Sequence, residues 1–276
     1  MGIIDKAINK YGKSRDTVGV EKGKQFSVDD DESYQERIHI DVQQLTDAET
    51  AKDVFPHLAD EYRRIKRPLL ANAFDAESQL VKRGNLVLVT SSLPGEGKSF
   101  TATNLALSIA TERDRTVLLI DADVTKSKVS KLLGLEGRRG LVDMLVDEAV
   151  SPRELIVKTD FPGLSIIPSG GSHPQITELL ASERMADVLD EISSRYSNRL
   201  VLFDAPPILA TPETQVLCDR MGQIVFVVEM GTTPRNVVDQ ALDLLPNDDK
   251  AVGLVLNKAR KLSGVSGYGD GYYGGY

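Results

Sequence analysis

Ser91-Ser92-Leu93-Pro94-Gly95-Glu96-Gly97-Lys98-Ser99 follows the apolar run Leu86-Val87-Leu88-Val89 and precedes a helix-like segment from Phe100 to Glu112. A strand, a glycine-rich turn and a helix in that order make a phosphate cradle, the P-loop. Glycines let successive backbone N–H groups point into one concavity without Cβ clashes, and the helix N-terminus adds partial positive charge. Lys98 adds a full charge, and the Ser99 hydroxyl can ligate Mg²⁺. The usual pattern is G-x-x-x-x-G-K-[ST]; here Ser92 stands at the first glycine. An ordinary βα turn can carry Gly-Lys-Ser by chance, but a strand and a helix in register argue against that reading. The loop Pro94, Gly95, Glu96, Gly97, Lys98, Ser99 and Phe100 therefore predicts a nucleoside triphosphate site.

Outward from the loop, short apolar runs recur near 85–91, 116–121, 164–168, 199–204, 223–229 and 251–257, separated mostly by helix-like segments. Ser151-Pro152-Arg153-Glu154 is a capping box with proline at the first helical position, and Thr233-Pro234 marks another helix start. Near-continuous apolar strands alternating with helices mean a parallel sheet covered on both faces, a doubly wound α/β domain. Ligands in such sheets sit at the carboxyl ends of the strands.

Those ends carry acids. Val117-Leu118-Leu119-Ile120 runs into Asp121-Ala122-Asp123, and Leu200-Val201-Leu202-Phe203 into Asp204-Ala205-Pro206-Pro207. Two carboxylates at i and i+2 share a direction, so one can hold Mg²⁺ while the other takes a proton from an attacking hydroxyl. Asp204 has the form of a Walker B aspartate. Each acid alone could be a turn or cap residue; three at two strand ends in a chain with a P-loop point to phosphoryl transfer. Asp121 is expected to activate the nucleophile, with Asp123 as substitute, and Ser99, Asp121, Asp123 and Asp204 to organise the metal. Asn257, ending the last strand, is either an adenine contact or a turn residue.

Before the core, residues 56–76 have a helical pattern with Glu61, Arg64 and Arg67 at three-residue intervals. Ile3, Ile4, Ala7, Ile8 and Tyr11 form a short amphipathic helix, which either docks on a partner or membrane surface or packs on its own domain. Residues 12–35, with Asp29-Asp30-Asp31-Glu32, read as a flexible linker. Residues 263–276 hold six glycines and Tyr268, Tyr272, Tyr273 and Tyr276, half of the chain's eight tyrosines, in no regular period. The expected organisation is thus 1–55 helix plus linker, 56–262 catalytic domain and 263–276 disordered tail.

A net charge of −8 argues against bulk nucleic-acid binding. A lone cysteine, Cys218, fits a reducing compartment and reads as a small core residue. No apolar run approaches the ~20 residues that cross a bilayer, no secretory leader is evident, and Lys6 spoils a myristoylation motif at Gly2. A cytoplasmic protein is expected, meeting the inner membrane face only through a partner.

The assembled set resembles the bacterial tyrosine kinases. Their P-G-E-G-K-[ST] loop is matched by Pro94 to Ser99, their D-x-D-x-R strand end by Asp121 and Asp123, and their D-x-P-P by Asp204 to Pro207. Glu61, Arg64 and Arg67 match the family's E-x-x-R-x-x-R helix, and Pro174 to Leu180 its P-x-x-x-E-L-L segment. The resemblance covers residues 56 to 276. It implies a fold of the P-loop NTPase type shared with MinD- and ParA-like ATPases, with ATP and Mg²⁺ as cofactors. It further implies tail tyrosines as autophosphorylation sites, a ring-like homo-oligomer joined through Glu61, Arg64 and Arg67, a membrane chain-length (polysaccharide co-polymerase) protein as activator, and a cognate tyrosine phosphatase. The N-terminal helix and the 121–127 segment look most like the autokinases of exopolysaccharide loci with exosortase systems. Thr125 departs from the family's arginine, with Lys126 and Lys128 close by.

Two other functions compete. A switch ATPase of the partitioning type uses water as nucleophile and resembles K-G-G-x-G-K-[ST], whose first lysine corresponds here to uncharged Leu93. A non-enzymatic ATP-sensing adaptor would not need the intact lysine, serine and three aspartates.

Overall fold

Every apolar run of the sequence becomes a strand of one sheet. β1 (Leu86–Ser91), β2 (Thr116–Asp121), β4 (Leu164–Ile167), β5 (Arg199–Asp204), β6 (Gln223–Glu229) and β7 (Ala251–Asn257) are parallel. The computed structural model describes residues 37–40, 51–75, 81–195, 198–246 and 250–259; the segments 3–11, 12–35 and 263–276 lie outside them. With a short edge strand β3 (Val157–Lys158), the strand order is β3-β4-β2-β5-β1-β6-β7. Strand β3 pairs antiparallel with β4 and has no sequence signal, because two residues carry no alternation to detect. Beside it, Ile38 bridges to Thr159, and Ile40 is buried.

Leu86 and Leu88 of β1 join the core on one face, Val87 and Val89 the core on the other. Both faces are covered, which is why these strands read as unbroken apolar runs. α1 (Ala51–Phe74) and α2 (Lys98–Ala110) cover the second face. The first face meets α6 (Ile176–Ala181), α7 (Glu183–Arg195), α8 (Pro212–Arg220) and α9 (Arg235–Leu242). Chain order between these is completed by α3 (Lys128–Leu132), α4 (Leu141–Val146) and α5 (Pro152–Leu155). α5 begins with the expected capping box: the Glu154 carboxylate accepts from the Ser151 N–H at 3.1 Å and from its hydroxyl at 3.0 Å. Cys218 is buried in the core, where lost hydration pushes its thiol up to about 12.

α1 starts at Ala51, upstream of the Pro56 start read from the sequence; a proline removes one backbone donor and need not end a helix. Its Tyr62, Lys66 and Leu69 face inward. The Lys66 ammonium donates to the Ser108 carbonyl at 2.6 Å and pairs with Glu112 at 2.7 Å, closing the C-terminal end of α2. Glu61, Arg64 and Arg67 fall on the opposite, exposed side.

The order places β1 between β5 and β6, while the chain leaves β1 through α2 to reach β2 beyond β5. The winding direction reverses there, and a crevice opens at the carboxyl ends of β1, β5 and β2. In that register Asp204 lies opposite Val89 on one side and Asp121 on the other.

Candidate functional site

The loop after β1 turns on two left-handed glycines, Gly95 at φ 96° and Gly97 at φ 97°. Glu96 between them is 2% exposed, and its side chain points into the protein rather than toward a ligand. Its carboxylate accepts from the Leu93 N–H at 2.6 Å, from the Glu229 N–H at 3.4 Å and from the Thr233 hydroxyl. The Asn257 amide donates to the Glu96 carbonyl at 2.8 Å. The cradle is therefore braced from behind by the ends of β6 and β7, with Asn257 seated against the loop backbone.

Gly97 is doubly constrained. A Cβ there would lie 2.0 Å from the Asn257 amide nitrogen, on a backbone conformation that side chains rarely adopt. The αL strain alone costs about 1–2 kcal/mol. Gly97→Ala is expected to lower affinity for a fluorescent ATP analogue by at least about tenfold, the equivalent of roughly 1.4 kcal/mol. A titration showing unchanged affinity would rule out this role for the loop geometry.

Lys98, first residue of α2, is 7% exposed and reaches across the crevice. Its ammonium lies 2.7 Å from Asp123, 3.7 Å from Asp204 and 3.4 Å from the Ser99 hydroxyl. Burial alone would depress its pKa, but Asp204 and Asp123 overcome that and hold it above the ordinary lysine value. Asp121 is fully buried. One of its oxygens accepts from the Ser130 N–H at 2.8 Å and hydroxyl at 2.7 Å; the other has no hydrogen-bond partner. Burial raises its pKa against those bonds. Asp204 is fully buried with neither oxygen hydrogen-bonded, and burial pushes it up to about 7 despite the Lys98 charge.

Orphaned buried carboxylate oxygens next to a P-loop are what a metal-bound triphosphate would satisfy. Among the described residues no three His, Cys, Asp or Glu side chains converge as a self-sufficient metal cage. Mg²⁺ is ordinarily held by one or two carboxylates plus phosphate oxygens rather than by an all-protein site.

An open cavity of about 540 Å³ lies in front of the loop. It is lined by the loop and the start of α2, from Pro94 to Phe100, and by Asp123, Lys126, Lys128, Lys131, Leu132 and Pro207. Asp123 lines this cavity, and Asp121 and Asp204 do not.

The fold brings Lys98, Ser99, Asp121, Asp123 and Asp204 into one crevice, while Asn257 lies behind the loop against the Glu96 carbonyl. Glu61, Arg64 and Arg67 lie on exposed α1, and Tyr268, Tyr272, Tyr273 and Tyr276 fall outside the described residues. Sequence reading missed the inward anchoring of Asp121 by Ser130, nine positions on and in another element, for which no local pattern exists. The sequence places Glu96 in the triphosphate-binding loop, and nothing local signals that its side chain is buried away from that site.

A family model described as "AAA domain" matches residues 85–229. The chain is 34% identical over 217 residues to "Tyrosine-protein kinase YwqD" of Bacillus subtilis, covering 78% of this chain and 86% of that one. It is 34% identical over 189 residues to the "Putative tyrosine-protein kinase EpsB" of Ralstonia nicotianae, of which it spans 25%. Over 177 residues it is 35% identical to the "Succinoglycan biosynthesis transport protein ExoP" of Rhizobium meliloti, of which it spans 22%. Among solved structures, the kinase domain of the Escherichia coli tyrosine kinase ETK superposes with a TM-score of 0.61 at 25% identity, covering 78% of this chain and 80% of that one. A ParA family ATPase from Chlorobium tepidum superposes at 0.53 with 19% identity, covering 66% of this chain and 77% of that one, a likeness of fold alone.

Proposed function

The chain belongs to the bacterial tyrosine kinases, and from that premise we propose that it is an autokinase moving the γ-phosphoryl group of Mg·ATP to its own tail tyrosines, in trans within an oligomer. One observation carries this reading. Asp123 alone of the three site aspartates lines the open cavity while contacting Lys98, so a base stands where an incoming hydroxyl must arrive.

Lys98 and Asp123 pair at 2.7 Å. Phosphates entering the loop compete for the Lys98 ammonium, which then holds β and γ oxygens beside the backbone N–H groups of Gly95 to Ser99. Asp123 is thereby freed to accept the phenolic proton. The tyrosyl oxygen bonds to the γ phosphorus, the bond to the bridging oxygen breaks, and ADP departs with that electron pair. Ser99, Asp204 and Asp121 would hold Mg²⁺, which would supply positive charge against the negative charge developing on the phosphates. Asp121, tied inward to Ser130, is better placed for that duty than as the base first expected of it.

The tail supplies acceptors of sufficient reach: about 13 residues extend at most roughly 45 Å. Exposed Glu61, Arg64 and Arg67 on α1 are offered as the contacts joining subunits. The polysaccharide export protein among the relatives supports a place in exopolysaccharide synthesis or export, under a membrane co-polymerase partner and a tyrosine phosphatase. No helix among the described residues is long and apolar enough to cross a membrane.

The test is incubation of the purified chain with ATP and Mg²⁺, mapping of phosphates by mass spectrometry, and light scattering before and after. Phosphate on Tyr268, Tyr272, Tyr273 or Tyr276 is expected, with a decrease in particle size as nearly two negative charges accumulate per tyrosine. ATP hydrolysis with an unmodified tail would instead establish the switch ATPase.

A further inference from the structure

Resting on the kinase reading, we propose that Lys126, Lys128 and Lys131 form the acceptor side of the cavity and select tyrosine segments that carry negative charge beside the tyrosine. α3 buries Val129 and Ser130 against the core. Lys128, Lys131 and Leu132, at i, i+3 and i+4, share one face and line the cavity. Lys126 joins them from the preceding turn, whose backbone N–H donates to the Asp123 carboxylate at 3.2 Å. All three lysines are exposed, and among the described residues none has an ion-pair partner.

Their placement separates them from the donor. The phosphates fall to the loop and Lys98, in the segment after β1 from Pro94 to Phe100. The lysines line the same cavity from the segment after β2, together with Asp123, and Leu132 and Pro207 offer apolar surface to an aromatic ring. A basic cluster in a chain of net charge −8 is a local departure that attracts anionic segments and repels basic ones. The chain's own tail fits this. Residues 263–276 contain Asp270 and neither lysine nor arginine. Once Tyr272 is phosphorylated, its phosphate adds nearly two charges directly beside Tyr273. The lysines then hold an already modified tail while the next tyrosine enters, so each transfer favours the following one.

The experiment uses the full chain as donor and three peptides of residues 267–273 as acceptors: the native sequence, Asp270→Asn, and the native sequence with phosphate on Tyr272. The wild type is expected to rank them phosphorylated, native, Asp270→Asn in kcat/KM, each step about 3- to 10-fold, as for a few exposed charge contacts. In Lys126→Gln/Lys128→Gln/Lys131→Gln the ranking collapses, while the KM for ATP and transfer to the Asp270→Asn peptide change by less than about twofold. High salt should flatten the wild-type ranking in the same way. Equal use of the native and Asp270→Asn peptides by the wild type overturns the proposal. So does a raised KM for ATP in the variant, which would assign the lysines to the donor. Absence of transfer to any peptide and to the tail would overturn the kinase function itself, a distinguishable result.

Discussion

Lys98→Met is expected to lower phosphoryl transfer by at least about 10³-fold, roughly 4 kcal/mol of transition-state stabilisation. Methionine keeps most of the buried length of the side chain, so the change isolates charge from packing. Two effects combine. The β and γ oxygens lose the cation on which negative charge develops, and Asp121, Asp123 and Asp204 lose the ammonium that faces them. The second effect has a pH signature. The folded-state pKa of Lys98 is raised, so its stabilising contribution is complete below the ordinary lysine value and disappears only as pH rises through the elevated one. It is present throughout the neutral range. Without it, the carboxylates in the crevice repel, and the raised pKa values of Asp121 and Asp204 climb further. Thermal melts should therefore show Lys98→Met less stable than wild type at pH 8, with the gap shrinking at pH 5 as the carboxylates protonate. A variant retaining a tenth of the transfer rate would remove Lys98 from the mechanism. A stability gap that widened toward pH 5 would refute the electrostatic account of the crevice.

Strand positions were legible in the sequence because a sheet buried on both faces leaves unbroken apolar runs, as at Leu86 to Val89 and Leu200 to Phe203. The meeting of Asp121, Asp204 and the P-loop was legible for a related reason, since parallel strands deliver their carboxyl ends to one edge. Side-chain direction beyond the strand ends was not. Asp121 and Asp123 differ by two positions and share a strand-end direction in principle, yet one is tied inward by Ser130 and the other lines the cavity. That difference depends on where α3 packs after the turn, and Ser127, at a φ of 46°, sits in this turn with no glycine to announce it. Glu96 is similar. A charged residue between two glycines reads as exposed, whereas its burial depends on Leu93, Glu229 and Thr233, which converge only in the folded chain. In the sequence Lys126 and Lys128 stand out only as neighbours of Thr125, and Lys131 not at all; the placement of α3 brings all three to the same cavity as Lys98.

Asp204→Asn is expected to separate stability from activity. Asp204 is fully buried with neither oxygen hydrogen-bonded, and its pKa is pushed up to about 7. For a carboxyl with a raised folded-state value, ionisation costs more in the folded chain than in the unfolded one. The contribution of Asp204 to stability is therefore best below about pH 4 and declines as pH rises toward 7, where it levels off. A tenfold change in an ionisation constant corresponds to about 1.4 kcal/mol, and relaxation reduces the whole effect to on the order of 2 kcal/mol. Removing one member of a buried pair ordinarily destabilises by stranding its partner. Lys98 is not stranded here, because it keeps Asp123 at 2.7 Å while losing a contact at 3.7 Å. The strained charge goes and the better pair stays. The Asp204→Asn variant should then melt several degrees higher than wild type at pH 8, by about 2–4 °C per kcal/mol in a domain of this size, and close to wild type at pH 4. Phosphoryl transfer should fall about 10²- to 10³-fold with the loss of a metal-holding carboxylate. Mg·ATP should raise the melting temperature of the wild type more than that of the variant, because the metal satisfies a charge that only the wild type carries. A variant that melts lower at pH 8 would mean that Lys98 depends on Asp204 more than the distances indicate, and the crevice would then be a structural ion network rather than a site held ready for a metal.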